Sequence, residues 1–518
     1  MLLKIHSKRI GLTAHGASEH SSQGRGQHLG RLLPILIGYL SLAFYGIDHQ
    51  SLWLDEVFSV RSAASTEPIW MIPHGPLYFA LLRLWLHVGT SELALRSLSV
   101  LLGAVAICLI YALSVTMFNR RVAVIGTVLF ATSPFLIWYS QETRYITLML
   151  MTTLLTMYTL QQAISRSGFA WWLAYGSAMI LALASFVLTL LLSVVHGLYL
   201  VRFSSGRRVL RKWAVWQMLV CLLFVWWGSG AYRHAFVRTT DNSPQTFSVD
   251  LDQLSTGTPK EFTPMMVPYT FLVFSVGFSQ GPSLPELHVS RSLTTLLPHA
   301  PSLLILCVLF GGLFLLGLMA TWRQPDVGAL LTLWVAVPVV GTLGVSICTS
   351  MAYNVRYVAM ALPAYLLLLA VGISRVRRPV VQMILLAAVL FVNGLSLTNY
   401  YFNPRYARED ARAAARYLES VVQPRNAVLV VGTLEPLQYY DRGKLPMVRL
   451  GNLYRTDRPI AERLQELLRG YDRLWLVEIR PWQMDPTGKV KAALDGLYAL
   501  VEHRQFPGVD IRSYRLSP

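Results

Sequence analysis

The sequence predicts an all-helical, multi-pass membrane protein that carries a small α/β domain after its last span, and three observations predict it. First, 54% of its 518 residues are hydrophobic and only 14% are charged, against roughly one quarter charged in soluble domains. Second, apolar runs approaching the ~20 residues that cross a bilayer as a helix recur about eleven times, all before residue 399. Third, residues 399–518 hold 19 basic and 14 acidic groups, too many charges for a span. The net charge of +18 alone would suit a nucleic-acid binder. The basic groups follow the spans, however, so a membrane and no nucleic acid is the expected partner. The four cysteines, Cys108, Cys221, Cys307 and Cys348, lie far apart in apolar runs without a metal-ligand spacing.

The runs fall near 32–47, 94–117, 122–139, 145–164, 169–187, 188–203, 213–230, 300–321, 327–349, 357–373 and 379–398. A further candidate at 264–282 is interrupted by Pro268 and Gly277, so the expectation is 11 to 13 spans. Residues 1–30 are polar and basic and the first run lacks a small-residue cleavage site. They read as a cytoplasmic tail before an uncleaved signal anchor. With that start, 17 of the 26 basic residues before residue 399 fall on alternate, cytoplasmic connections and nine on the opposite ones, the asymmetry that sets orientation. Only Glu19 and Asp326 of the 13 acidic residues there fall on the cytoplasmic side. The expected location is the plasma (inner) membrane, with the span region at 31–398 and the 399–518 domain outside.

Three outward loops follow, at 48–93, 138–145 and 231–298. In the first, DEVFSVRSAA spaces Val57, Val60 and Ala64 as a helix along the membrane surface requires. PLYFALLRLWLHVG is short for a span and opens with Pro76, suited to a first helical turn. The third loop, rich in Pro, Ser, Thr and Gly, reads as a lid over a substrate, with Lys260 as a phosphate contact in the closed state. In the tail, helical patterns at 409–421, 459–469 and 489–499 alternate with strands at Val428–Val431, Leu474–Glu478 and Ala499–Glu502, an α/β pattern.

The outward polar residues carry the chemistry. Asp55 and Glu56 follow the first span, where a carboxylate is costly unless it meets water, a cation or a substrate. The plain alternative is an acidic pair at a helix start, favoured by the macrodipole. Adjacent helical residues point about 100° apart, so one carboxylate aims into a given site while its neighbour supports it. The turn WYSQETRY packs Glu142, Arg144 and Tyr145 into a few residues; tyrosine anchoring with a local Glu–Arg pair is the alternative there. His74 and Arg356 complete the set, although either alone is more often a headgroup contact. A carboxylate can deprotonate a hydroxyl, and Arg and His can hold a phosphate that leaves. A phosphate leaving group needs no proton donor, so one base and cationic stabilisation suffice for glycosyl transfer from a lipid phosphate.

LWLDE after the first span, HGPLYFALLRLW in the same loop, YSQETRY after the third span and the NVRY turn before a later one resemble the polyprenyl-phosphate-dependent GT-C glycosyltransferases. The nearest branch is the family-39-like group of protein O-mannosyltransferases and the lipid A aminoarabinose transferase. That resemblance implies inverting transfer of a sugar from a polyprenyl-phosphate donor to a hydroxyl of a protein, lipid or polysaccharide. It assigns the catalytic base to Asp55, with Glu56 beside it. It places Glu142 as an organiser of the site that in some members joins a metal, which makes Asp55 and Glu142 candidate ligands of a divalent ion. Gly75 departs from the family's Pro-Pro after the position of His74. Two other classes remain open: a lipid-linked sugar flippase, which would favour polar groups near the midplane and internal repeats, and a membrane scaffold using the tail as a binding module.

Overall fold

The structure, a computed structural model, describes residues 19–71, 75–166, 168–203, 207–240, 266–289, 296–349, 351–448 and 459–516. Every apolar run named above coincides with helix. The first ten helices are α1 (Glu19–Phe44), α2 (Leu54–Ala64), α3 (Pro76–Trp85), α4 (Glu92–Met117), α5 (Arg120–Ala131), α6 (Pro134–Ser140), α7 (Ile146–Arg166), α8 (Phe169–Ser185), α9 (Leu191–Phe203) and α10 (Arg207–Thr240). They are followed by α11 (Met266–Val276), then α12 (Leu297–Thr321), α13 (Pro325–Cys348), α14 (Val355–Arg375) and α15 (Pro379–Phe402). Among the described residues six helices are long and apolar enough to cross a membrane, or seven when α5 and α6, bent by 50° at their break, count as one. The other runs lie on shorter or more polar helices, for identifiable reasons. Thr152, Thr156 and Thr159 make α7 more polar, yet each hydroxyl donates to the carbonyl four residues back, so none needs an outside partner. Phe186 and a 3-10 turn at Val187–Leu190 part α8 from α9.

α2 turns its apolar stripe into the protein. Val57, Val60 and Ala63 are buried in the main core, while Ala64 is exposed, so the inward stripe runs one residue off the expected one. α3 opens with Pro76 as expected. Gly75 before it has φ +85°, and a Cβ there would stand 2.0 Å from the Ser185 carbonyl oxygen. The departure from Pro-Pro thus answers a backbone conformation and a close approach that only glycine permits. Gly277 ends α11 in the same left-handed region, with Pro134 2.9 Å from the place of a Cβ.

The tail is an α/β layer. Strands β1 (Asn426–Gly432), β2 (Met447–Val448), β3 (Arg473–Ile479), β4 (Ala499–Phe506) and β5 (Val509–Arg515) form one sheet in the order β2-β1-β3-β5-β4. β1 runs parallel to β2 and β3, and β5 lies antiparallel to β3 and β4. Helices α16 (Ala411–Val421) and α17 (Glu435–Asp441) cover one face, while α18 (Ile460–Leu467) and α19 (Lys489–Leu497) cover the other. That two-sided cover makes β1 and β3 continuous apolar runs.

This domain is fastened to the first loop. Ser51 donates its hydroxyl to the Glu409 carbonyl at 2.6 Å, and the Leu52 N–H donates to the Tyr440 hydroxyl at 2.7 Å. Arg412 pairs with Glu92 at 3.0 Å and donates to the carbonyls of Asp48 and His49.

Candidate active site

The first turn of α2 presents two adjacent carboxylates to opposite surroundings. Glu56 is fully buried. Its oxygens accept from Arg96 Nε and Nη2, both at 2.8 Å, from the Thr143 N–H at 2.9 Å and from the Trp53 N–H at 3.4 Å. Arg96 spends its remaining N–H groups on the carbonyls of Ile47, Gln50 and Ser51. Glu56 therefore joins α2, α4 and the turn after α6, with no lone pair aimed at open space. Burial works against its charge, but Arg96 and Arg408 outweigh it and hold the carboxyl below its ordinary value.

Asp55 faces the other way, with 21% of its side chain exposed. Its Oδ2 meets the Arg356 guanidinium, in direct hydrogen-bond contact, and Arg144 Nη2 at 3.3 Å. Burial again opposes the charge, and the two guanidinium groups overcome it, keeping the carboxyl well below the usual carboxylate range. Arg144 also donates to the Asp55 carbonyl at 3.2 Å and to the Ser59 hydroxyl at 3.4 Å. Arg356 comes from the 3-10 turn that opens α14, where the Asn354 side chain accepts its backbone N–H.

Beneath the arginines lies a stack of rings. Tyr145 stacks on Phe186 at 4.9 Å, and Phe186 on Tyr357 at 5.5 Å. Arg144 and Arg356 lie 5.3 and 5.4 Å from the Tyr145 and Tyr357 centroids. The break between α8 and α9 thus places Phe186 where it holds both guanidinium-bearing segments at one level.

Glu142 sits in the turn between α6 and α7, buried. Its Oε1 accepts from Trp138 Nε1 and Arg408 Nη2, each at 2.7 Å, whereas Oε2 is buried without a hydrogen-bond partner. Burial pushes its pKa up; Arg408 pulls the other way, and the nearby negative charge of Glu56 adds to the rise. The alternative, a local ion pair between Glu142 and Arg144, is not formed: each takes a partner from elsewhere.

Asp55, Arg144, Tyr145, Arg356 and, through Arg408, Glu56 and Glu142 are brought together. His74 and Lys260 lie outside the described residues, as does the centre of the third loop. Among the described residues no group of three or more His, Cys, Asp or Glu could hold a metal ion. Asp55 is matched by two guanidinium groups and Glu142 by one.

Sequence reasoning missed Arg96, Arg408, Arg480 and Trp53. Arg480 pairs through two nitrogens with Glu409 and lies 5.1 Å from the Trp53 ring. A signal existed for Arg96, a charge inside an apolar run; Arg408 and Arg480 stand in polar stretches where nothing distinguishes one arginine from the next.

Residues 73–227 match the family described as dolichyl-phosphate-mannose-protein mannosyltransferase. No curated protein matches the chain by sequence. Among solved structures, the chain is similar to ArnT from Cupriavidus metallidurans bound to undecaprenyl phosphate, with 14% identity, a TM-score of 0.56 and coverage of 94% of this chain and 98% of that one. It is also similar to the archaeal oligosaccharyltransferase AglB from Archaeoglobus fulgidus in complex with an inhibitory peptide and a dolichol-phosphate. There the identity is 12% and the TM-score 0.52, over 94% of this chain and 74% of that one.

Proposed function

From the GT-C glycosyltransferase fold that this chain has, we propose that it transfers a sugar, with inversion, from a polyprenyl-phosphate donor to an acceptor hydroxyl on the outer face of the plasma membrane. The observation that carries the reading is Asp55 between Arg144 and Arg356, a base and a phosphate grip in one constellation. The match to the mannosyltransferase family and the undecaprenyl phosphate in the ArnT structure support the donor class.

In the resting site the two arginines neutralise Asp55 and suppress its basicity. A donor phosphate offers them more oxygens in the forked geometry that guanidinium groups match. Once they turn to it, Asp55 loses its counter-charges while its burial remains, and its affinity for a proton rises. Asp55 then takes the proton of the acceptor hydroxyl as that oxygen bonds to the anomeric carbon. The bond from that carbon to the phosphate oxygen breaks on the opposite face, and polyprenyl phosphate leaves as an anion held by Arg144 and Arg356. One displacement inverts the anomeric centre. Glu56 stays in its clasp and orients the turn that carries Asp55.

The N-terminus is cytoplasmic in this proposal, and the α/β domain lies outside with the site. The test is mass spectrometry of envelope glycans and glycolipids with and without the gene, followed by transfer assays with purified protein. Asp55→Asn should lower turnover by about 10²–10⁴, the worth of a positioned base. Near-normal turnover in that variant would overturn the assignment of the base, and an unchanged envelope the reading itself.

A further inference from the structure

We propose that Arg408, in the segment that leads into the α/β domain, is a positioning residue of the transfer reaction, setting the spacing between the loop that carries Asp55 and the turn that carries Arg144. The inference rests on the function proposed above and deepens it, since it makes the C-terminal part of the chain a component of the site.

Arg408 lies between the end of α15 and the start of α16, outside the stretch that matches the mannosyltransferase family. Its side chain is 6% exposed. One nitrogen, Nη2, donates to Glu142 Oε1 at 2.7 Å, and the other, Nη1, stands 3.5 Å from Glu56 Oε2. Glu56 adjoins Asp55 and Glu142 is two residues before Arg144, so one guanidinium spans the two loops directly behind the pair that meets at the site. Its plane lies 4.7 Å from the Trp138 ring, which fixes it from a third side.

The way the hydrogen bonds are spent separates positioning from simple clasping. A guanidinium that served only to neutralise Glu142 would grip both carboxylate oxygens, the favoured fork geometry. Here Glu142 Oε2 and Arg408 Nη1 are both buried without a hydrogen-bond partner, which burial without compensation makes costly. The guanidinium is instead divided between two loops. The main chain beside it is locked as well: the Glu409 carbonyl accepts from Ser51, and the Glu409 carboxylate pairs with Arg480, which lies against Trp53, two residues before Asp55. Removing the charge of Arg408 leaves two buried carboxylates facing each other with less compensation. The turn should then move away from α2, carrying Arg144 off the geometry in which it meets Asp55.

The test uses full-length protein in detergent, with turnover, donor KM and thermal unfolding measured for the wild type, Arg408→Gln and Arg408→Lys. Arg408→Gln should lower kcat about 100-fold, the order expected of a displacement near 1 Å, and change donor KM much less, because both phosphate-gripping arginines remain. Arg408→Lys keeps the shared charge without the fork and should recover at least a tenth of wild-type kcat. An unchanged kcat in Arg408→Gln, a loss that Arg408→Lys does not relieve, or failure of both variants to fold would each overturn the inference and leave Arg408 a clasp of the fold. A wild-type protein without donor-dependent transfer would instead overturn the function beneath it.

Discussion

Adjacent carboxylates on one helix turn should give opposite phenotypes, and Glu56→Gln is the substitution that shows it. Glu56 accepts two hydrogen bonds of 2.8 Å from Arg96, and both side chains are essentially sealed from solvent. The amide keeps the volume and one acceptor oxygen. It loses the charge, and its NH2 faces either Arg96 Nε with the Thr143 N–H or Arg96 Nη2 with the Trp53 N–H. Arg96 would remain buried with one neutral amide oxygen and three carbonyls as partners. Removing one member of a buried ion pair costs about 3–5 kcal/mol, of which one lost charge-assisted bond accounts for ~1.5–3 kcal/mol. Against a typical total of roughly 5–15 kcal/mol that is a large fraction. Asp55, with 21% of its side chain exposed and its arginines within reach of water, should lose no more than about 1 kcal/mol as Asn. Thermal unfolding of the two purified variants beside the wild type measures this. Glu56→Gln should unfold at clearly lower temperature while Asp55→Asn matches the wild type and is inactive. Equal stability of the two variants, or a stable Glu56→Gln protein with the catalytic defect, would refute the division of labour.

Arg144→Lys should weaken donor binding as well as turnover, since a single ammonium cannot keep both the Ser59 contact and the grip on phosphate; competition binding with a polyprenyl phosphate reads it out. Gly75→Ala places a methyl against the Ser185 carbonyl in a left-handed backbone and should destabilise by about 2–3 kcal/mol, visible as lost yield and a lower unfolding temperature. Partial burial opposes the charge of Glu409, but Arg480 holds its pKa below the ordinary value. Its contribution to the domain contact should thus be complete above the unfolded value of about 4.3 and fade as pH falls through the lower folded value. Protease cleavage at 403–410 should accelerate only in that acid range, and a rise near neutrality would count against it.

What was legible in the sequence follows from the physics that each part obeys. Long apolar runs must become helix in a bilayer because lipid satisfies no backbone group, so every run was found. How many of them cross completely depends on bends and breaks such as those at Thr132–Ser133 and Phe186, which hydropathy does not register. In the tail the central strands β1 and β3 were readable as apolar runs. β5 was missed because its charged residues, Asp510, Arg512 and Arg515, interrupt the pattern, although Val509, Ile511 and Tyr514 are buried. At the site, Asp55, Glu142, Arg144 and Arg356 stood out because charged residues at the ends of spans are expensive. The pairing did not: Glu142 with Arg408 is a contact across 266 residues, and local spacing suggested Arg144 in its place.

Under the proposed function, the arrangement would let an inward-folded carboxylate serve as a base. A free carboxylate at Asp55 would sit in a partly dry pocket with its charge uncompensated, an expensive resting state. Two arginines remove that cost while the site is empty, and the same two groups are the phosphate's natural partners. In the proposed reaction, donor binding and activation of the base would be one exchange of counter-ions, in which the arginines pass from carboxylate to phosphate. Neutralisation by arginine on the Asp55 side and by Arg408 on the Glu142 side leaves the clasp behind the site undisturbed while that exchange takes place. Only Asp55, Arg144 and Arg356 need to move, and the aromatic stack of Tyr145, Phe186 and Tyr357 provides the level surface on which the two guanidinium groups can shift.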